Sequence, residues 1–312
     1  MIRNIVLFTL CALAIILIAD GPRYAGAFDT ARDQQDSYAG SETCMECHED
    51  YYAGYMKNRH GVKADPQTPA AGLGCEACHG PGAAHAESDG EEPIRSLKVD
   101  ADGSAEEINA ACLQCHSNGK QALWRGSEHQ SRSLSCSSCH NIHKNYPKSL
   151  NAESEADTCA QCHKNIKAQM LRQSHHPLRE GKMRCADCHN THGTVADKLV
   201  DAQSVNQKCF ECHAELRGPF LWEHPSVTED CLTCHTPHGS MHSGLLKAKA
   251  PFLCQRCHAN TGHPGELAAR SSTDGGRSVY RVLNNRVFYR ACLNCHVAIH
   301  GTNHPSGKSL VR

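Results

Sequence analysis

The chain has 312 residues, enough for two domains, with hydrophobic residues at 39%, aromatics at 5% and a formal net charge of −1. A polypeptide this poor in aromatics cannot bury a large apolar core unaided, and its charge balance makes nucleic acid a poor partner. The unusual feature is the content of 21 cysteines and 23 histidines.

Residues 1–27 carry the marks of an export signal. Arg3 is the positive start, Ile5 to Ala19 the apolar run, and Ala25-Gly26-Ala27 a small-residue cleavage site. The run is short for a hydrocarbon core ~30 Å thick, so a retained anchor is the weaker alternative. Cys11 has no small-residue box before it, which speaks against a lipoprotein. The expected destination is the bacterial periplasm or beyond, where unprotected thiols oxidise. Loss of this segment removes Arg3, Arg23 and Asp20 and takes the charge to −2. Phe28 to Thr43 then forms a polar leader.

From Cys44 onward the word C-x-x-C-H occurs ten times, numbered here one to ten. The copies are Cys44, Cys47 and His48; Cys75, Cys78 and His79; Cys112, Cys115 and His116; Cys136, Cys139 and His140; Cys159, Cys162 and His163; Cys185, Cys188 and His189; Cys209, Cys212 and His213; Cys231, Cys234 and His235; Cys254, Cys257 and His258; and Cys292, Cys295 and His296. This is the signature of covalent haem attachment, in which both thiols add to the porphyrin edge and the histidine supplies the proximal nitrogen to iron. Ten copies predict ten covalently bound haem c groups. Structural zinc would join two cysteine pairs per metal and give the histidines no required role. A disulfide scaffold needs neither the fixed gap nor the histidine, and iron–sulfur clusters use other spacings.

The first cysteines of successive motifs are 22 to 26 residues apart in the middle of the chain and 31, 37 and 38 apart towards its ends. This near-regular repeat predicts an array in which each unit packs mainly on its neighbours. Two pentahaem modules, residues 28–172 and 173–312, are the expected division. The expected fold is that of a multihaem cytochrome c, with short α-helices and loops wrapped around an extended single-file chain of ten haems and little or no β structure. Porphyrin faces would take the place of a protein core, so folding should follow haem insertion. Each C-x-x-C-H should close one helical turn, and Glu153–Met170 and Val205–Leu216 should form helices of two or three turns. Strand patterns are absent. Glu87–Glu107 reads as an exposed loop containing a short helix, and Gly275-Gly276 as another loop.

Ten irons need ten further axial ligands. Thirteen histidines lie outside the motifs, against four methionines that are both beyond the signal and outside the motifs, so bis-histidine ligation is the simpler account. His143, His192 and His238 each follow a proximal histidine by three residues, too close to curl over the same haem but well placed for the next in a stack. His60, His176, His224, His263 and His304 precede Gly or Pro, where the chain can turn and present a ring. His85 and His129 occupy equivalent gaps between motifs, and His300 competes with His304 at the end. Ten of these eleven are the expected distal ligands. His175 and His242 are weaker, because His176 and His238 are better placed.

The segments Gly72-Leu73-Gly74-Cys75-Glu76-Ala77-Cys78-His79-Gly80-Pro81, Leu221-Trp222-Glu223-His224-Pro225, Cys231 to Ser240 and Gly301 to Lys308 are similar to those of a known group. The chain resembles the periplasmic decahaem cytochromes of the MtrA/PioA/DmsE type, from porin–cytochrome conduits, over essentially all of its length after the signal. The resemblance implies insertion in an outer-membrane β-barrel porin. It also implies a periplasmic or inner-membrane cytochrome as redox partner, with an extracellular multihaem cytochrome as a further candidate. The electrons would pass to or from extracellular metals, minerals or other acceptors and donors.

Six-coordinate irons leave no site for a substrate, so the expected activity is outer-sphere electron transfer and not catalysis. With neighbouring irons about 10 Å apart, a file of ten spans roughly 90 Å, more than the ~40–45 Å of a bilayer with its headgroups. Irregular loops cannot face lipid, so such a crossing needs a surrounding barrel supplied in trans. A soluble periplasmic electron shuttle or store is the alternative. A multihaem reductase is a weaker one, since no motif is altered.

Overall fold

A computed structural model describes residues 37–99, 104–144, 150, 154–258, 270–274, 277–281 and 292–311. The export segment and His263 lie outside these. The chain groups into two compact units, one ending at Ser96 and the other beginning at Leu97.

The described secondary structure is mostly short helix and loop, the longest helix being Ala105–Leu113. Among the described residues no helix is long and apolar enough to cross a membrane. Among the described residues the apolar core is small: none falls below 2% exposure, and the buried set mixes Ile108 and Trp124 with Glu76, Asn109 and Asn206. Chains that bury so little apolar surface depend on another source of contact.

Helices lead into several odd-numbered motifs and stop there. Ser41–Cys47, Ala105–Leu113, Glu155–Ala160 and Val205–Phe210 run into motifs one, three, five and seven. The hydroxyls of Ser104, Ser154 and Ser204 cap the last three by accepting the amides of Glu107, Asp157 and Gln207. At His48, His163 and His213 the backbone leaves the helical region, with ψ of 45°, 59° and 53°. The expected run Glu153–Met170 is therefore two helices, Glu155–Ala160 and Lys164–Met170, hinged at the motif histidine. Val205–Leu216 breaks in the same way, into Val205–Phe210 and a 3-10 turn at Ala214–Leu216.

The leader is pinned at its end. The buried Glu76 carboxylate accepts the amides of Ala39, Gly40 and Gly82 at 2.8 to 3.0 Å, which ties the start of motif one to motif two.

One expectation needs correction. Strand patterns were read as absent, but Arg270–Asp274 and Arg277–Arg281 pair antiparallel, from Arg270 with Arg281 to Asp274 with Arg277. Gly275-Gly276, expected as a loop, lies outside the described residues. The polar, arginine-rich strands lack the apolar alternation by which a half-buried strand is read.

Candidate haem sites

All ten motifs share one backbone device. The amide of each motif histidine donates to the carbonyl of its first cysteine at 2.8 to 3.1 Å, from His48 on Cys44 to His296 on Cys292. That single turn brings two thiols and an imidazole together, as the C-x-x-C-H spacing predicts.

The motifs are joined in pairs through their first thiols. The neighbouring first thiols Cys136 and Cys185, and then burial, push Cys112 and Cys159 up. Burial, then Cys75, pushes Cys44 up to about 11, and burial, then Cys231, pushes Cys209 up to about 12. Cys254 is raised by burial and then by Cys292. Among the second thiols, Cys139, Cys188 and Cys234 are each raised chiefly by burial.

Side chains from the odd partner hold the even one. The Asn109 side-chain oxygen accepts the Cys136 amide at 2.8 Å, and that of Asn206 accepts the Cys231 amide at the same distance. Glu155 accepts the Ala186 amide at 2.7 Å, and the Ser41 hydroxyl accepts that of Cys75 at 3.1 Å. The sequence reading missed these residues. The signal for two of them is an asparagine three positions before the first cysteine, in Asn109-x-x-Cys112 and Asn206-x-x-Cys209.

Among the described residues, seven proximal histidines can be named that face a second histidine. His48 faces His85, His140 faces His192, His163 faces His129, His189 faces His238, His213 faces His176, His235 faces His300 and His258 faces His224. The ring centroids lie 6.0 to 6.4 Å apart. Two imidazoles bound trans to one metal at about 2.0 Å, each ring centre roughly 1.1 Å behind its nitrogen, should stand roughly 6.2 Å apart. The pairs therefore fit an iron between them.

The pairing has a rule in the second unit. Motifs four, six and eight face the histidine that follows the motif two places later: His192, His238 and His300. Motifs five, seven and nine face the one that precedes the motif one place earlier: His129, His176 and His224. His85 and His129, which occupy similar gaps in sequence, thus differ: His85 follows motif two and faces motif one.

Ring nitrogens away from the gap are tied down. His189, His235, His296 and His79 donate Nδ1–H to the carbonyls of Lys198, Gly244, Ser309 and Arg95 at 2.7 to 3.0 Å. His85 donates to Glu92 at 2.6 Å, His129 to Thr191 at 2.8 Å and His176 to Pro237 at 2.7 Å. A hydrogen bond at Nδ1 selects the tautomer that leaves the Nε2 lone pair for metal. Burial holds His192, His224, His238 and His300 below the usual imidazole range, which also favours the neutral, ligating form.

The remaining expected ligands are placed as follows. His60 pairs its Nδ1 with the Asn58 side-chain oxygen at 2.9 Å, and the His143 amide donates to Asn141 at 3.0 Å. At His304, Nδ1 accepts the Ser306 amide at 3.2 Å. In the neutral ring that places the proton on Nε2, opposite to the tautomer of the others. His175 bonds Glu180 through Nε2 at 3.1 Å.

Trp124 Nε1 and the Tyr55 hydroxyl are buried donors without a protein acceptor, which suits haem groups bearing propionate carboxylates.

Paired attachment turns with facing imidazoles define a multihaem c-type cytochrome, an electron-transfer protein. The description "Doubled CXXCH motif" matches residues 175–218 and 224–263, "Cytochrome c-type protein NrfB-like" residues 75–155, and "Cytochrome c554 and c-prime" residues 24–80. The chain is 43% identical over 277 residues to the multiheme cytochrome MtrA of Shewanella baltica, covering 88% of this chain and 81% of that one. It belongs to the MtrA family of multihaem cytochromes. It is also 26% identical over 200 residues to the high-molecular-weight cytochrome c of Nitratidesulfovibrio vulgaris, covering 62% of this chain and 33% of that longer protein.

Proposed function

We propose that the protein carries electrons across the bacterial outer membrane inside a β-barrel porin, through ten bis-histidine haem c groups. Bound haem iron supplies one-electron chemistry at a potential set by its axial ligands and surroundings. The chain's residues do the rest. The twenty motif thiols would tether the groups, and facing imidazoles would hold each iron with two protein nitrogens, leaving none open to a substrate. Hydrogen bonds at Nδ1 orient the rings, and the asparagine and glutamate staples hold neighbouring turns in register. The observation that carries this reading is the set of seven facing histidine pairs, supported by relatedness to an MtrA along most of both chains.

The three other distal positions fall to His60, His143 and His263, leaving His304 as the eleventh histidine, because its Nδ1 is an acceptor. Residues 1–27 direct export to the periplasm, and residues 28–172 and 173–312 act as pentahaem halves. The porin, a periplasmic or inner-membrane cytochrome and an extracellular multihaem cytochrome are the partners. Electrons flow in whichever direction the donor and acceptor potentials impose.

Purification from fractionated cells tests the proposal. The holoprotein should co-purify from outer membranes with a large barrel protein, and its intact mass should include ten haems. Recovery in the periplasmic fraction without a barrel would make it a shuttle. A mass with fewer haems would overturn the count.

A further inference from the structure

The seven facing pairs differ in how the two rings are turned. In five of them the planes lie within 24° of each other, the closest being His48 with His85 at 9°. His129 with His163 stands at 70°, and His176 with His213 at 50°.

The two crossed pairs share a contact. His129 donates Nδ1–H to the carbonyl of Thr191, and His176 donates to that of Pro237. Each acceptor immediately precedes the distal histidine of the neighbouring motif, His192 or His238, so one backbone carbonyl serves two sites. The turns carrying them are held tightly: Gly193 and Gly239 have φ of 127° and 152°, and an added Cβ would collide with the carbonyls of Leu123 and Gln169.

A third copy of the arrangement provides a comparison. The Ile299 carbonyl, before His300, lies near the His224 ring and is in the equivalent place, but it does not meet Nδ1 with the geometry of a full hydrogen bond, and that buried nitrogen is left unsatisfied. That ring stays 24° from His258. His85 does make a bond, but to Glu92 in its own loop, and remains parallel to His48. The location of the acceptor therefore matters, since a planar imidazole must swing about its Cβ–Cγ bond to meet it.

We infer that the bonds from His129 to Thr191 and from His176 to Pro237 turn these two imidazoles across their partners and make the irons of motifs five and seven electronically distinct. Parallel axial imidazoles donate into the same iron d orbital and split the d pair. Crossed ones act on both orbitals and leave them nearly degenerate. A crossed ferric centre accordingly has a strongly anisotropic low-spin resonance, and a parallel one a rhombic resonance. His129 and His176 are positioning residues in this sense as well as ligands. The inference rests on the bis-histidine reading above.

The test is low-temperature electron paramagnetic resonance of oxidised holoprotein. His129→Gly and His176→Gly should each remove one strongly anisotropic signal, whereas His85→Gly and His192→Gly should each remove a rhombic one. Imidazole added to His176→Gly should restore the anisotropic signal. 1-Methylimidazole, which lacks the N–H, should restore a low-spin iron with a rhombic signal. Loss of a rhombic signal from His129→Gly or His176→Gly, or identical rescue by both ligands, overturns the orientation inference alone. If none of the four variants loses a low-spin signal, these histidines do not bind iron and the bis-histidine reading fails.

Discussion

His140 and His192 face each other with ring centroids 6.1 Å apart and planes 13° apart, although all of motifs five and six lie between them in the chain. The turn carrying His192 is anchored by Asn190, whose amide donates to the Lys120 carbonyl at 2.9 Å, and by the Gly193 contact with Leu123. This facing pair thus depends on three separated segments, around residues 120, 140 and 192.

His192→Ala should leave the motif-four haem attached, since its thiols are untouched, but one ligand short. The expected result is one high-spin ferric centre in ten by resonance Raman, with an unchanged haem count. A wholly low-spin spectrum would mean that another ligand serves His140.

Asn206→Ala removes an acceptor for the Cys231 amide and donors to the Val227 and Thr228 carbonyls, all from a side chain only 8% exposed. Buried groups left unpaired cost about 1–3 kcal/mol each, and local relaxation will recover part of this. A loss of about 2–3 kcal/mol is expected by denaturant unfolding of the holoprotein, with Asn109→Ala behaving alike.

Gly239→Ala should be more damaging than its size suggests. The residue has φ of 152°, and its Cβ would strike the Gln169 carbonyl. Strain plus the forced shift should cost about 2–4 kcal/mol. Optical spectra should show a disturbed haem at motif six, because His238 precedes it.

Tyr55 gives a pH signature. Burial raises its phenol above the ordinary range. Folded chains keep the proton past pH about 10, where unfolded chains release it. The unfolded state then binds fewer protons, so this contribution is present below about pH 10 and is lost as pH rises through the elevated folded value. In Tyr55→Phe the fall of unfolding free energy with pH above about 10 should be shallower. An unchanged slope would show that Tyr55 titrates normally.

Much of this was legible in the residues themselves. C-x-x-C-H is a short-range instruction: its atoms meet within one turn, whatever the rest of the chain does. The glycines of His192-Gly193 and His238-Gly239 and the prolines of His176-Pro177 and His224-Pro225 mark where the chain must turn to present a ring. The break at His163 was not legible, because Glu153–Met170 has the composition of one continuous helix. The hairpin at Arg270–Arg281 was missed because its strands lack an apolar face. Ring orientation was wholly hidden, since His129 and His224 are the same residue in similar gaps and differ in whether Nδ1 closes a full hydrogen bond to the carbonyl before the neighbouring distal histidine.

By itself the sequence determined the cofactor chemistry, the attachment points and the surplus of histidines, all properties of residue identity and spacings of a few positions. Which histidine faces which, how motifs join into pairs and how each ring is turned were decided only in the tertiary structure. Those choices are made between chemically identical side chains, and contacts between residues far apart in the chain are what distinguish one from another.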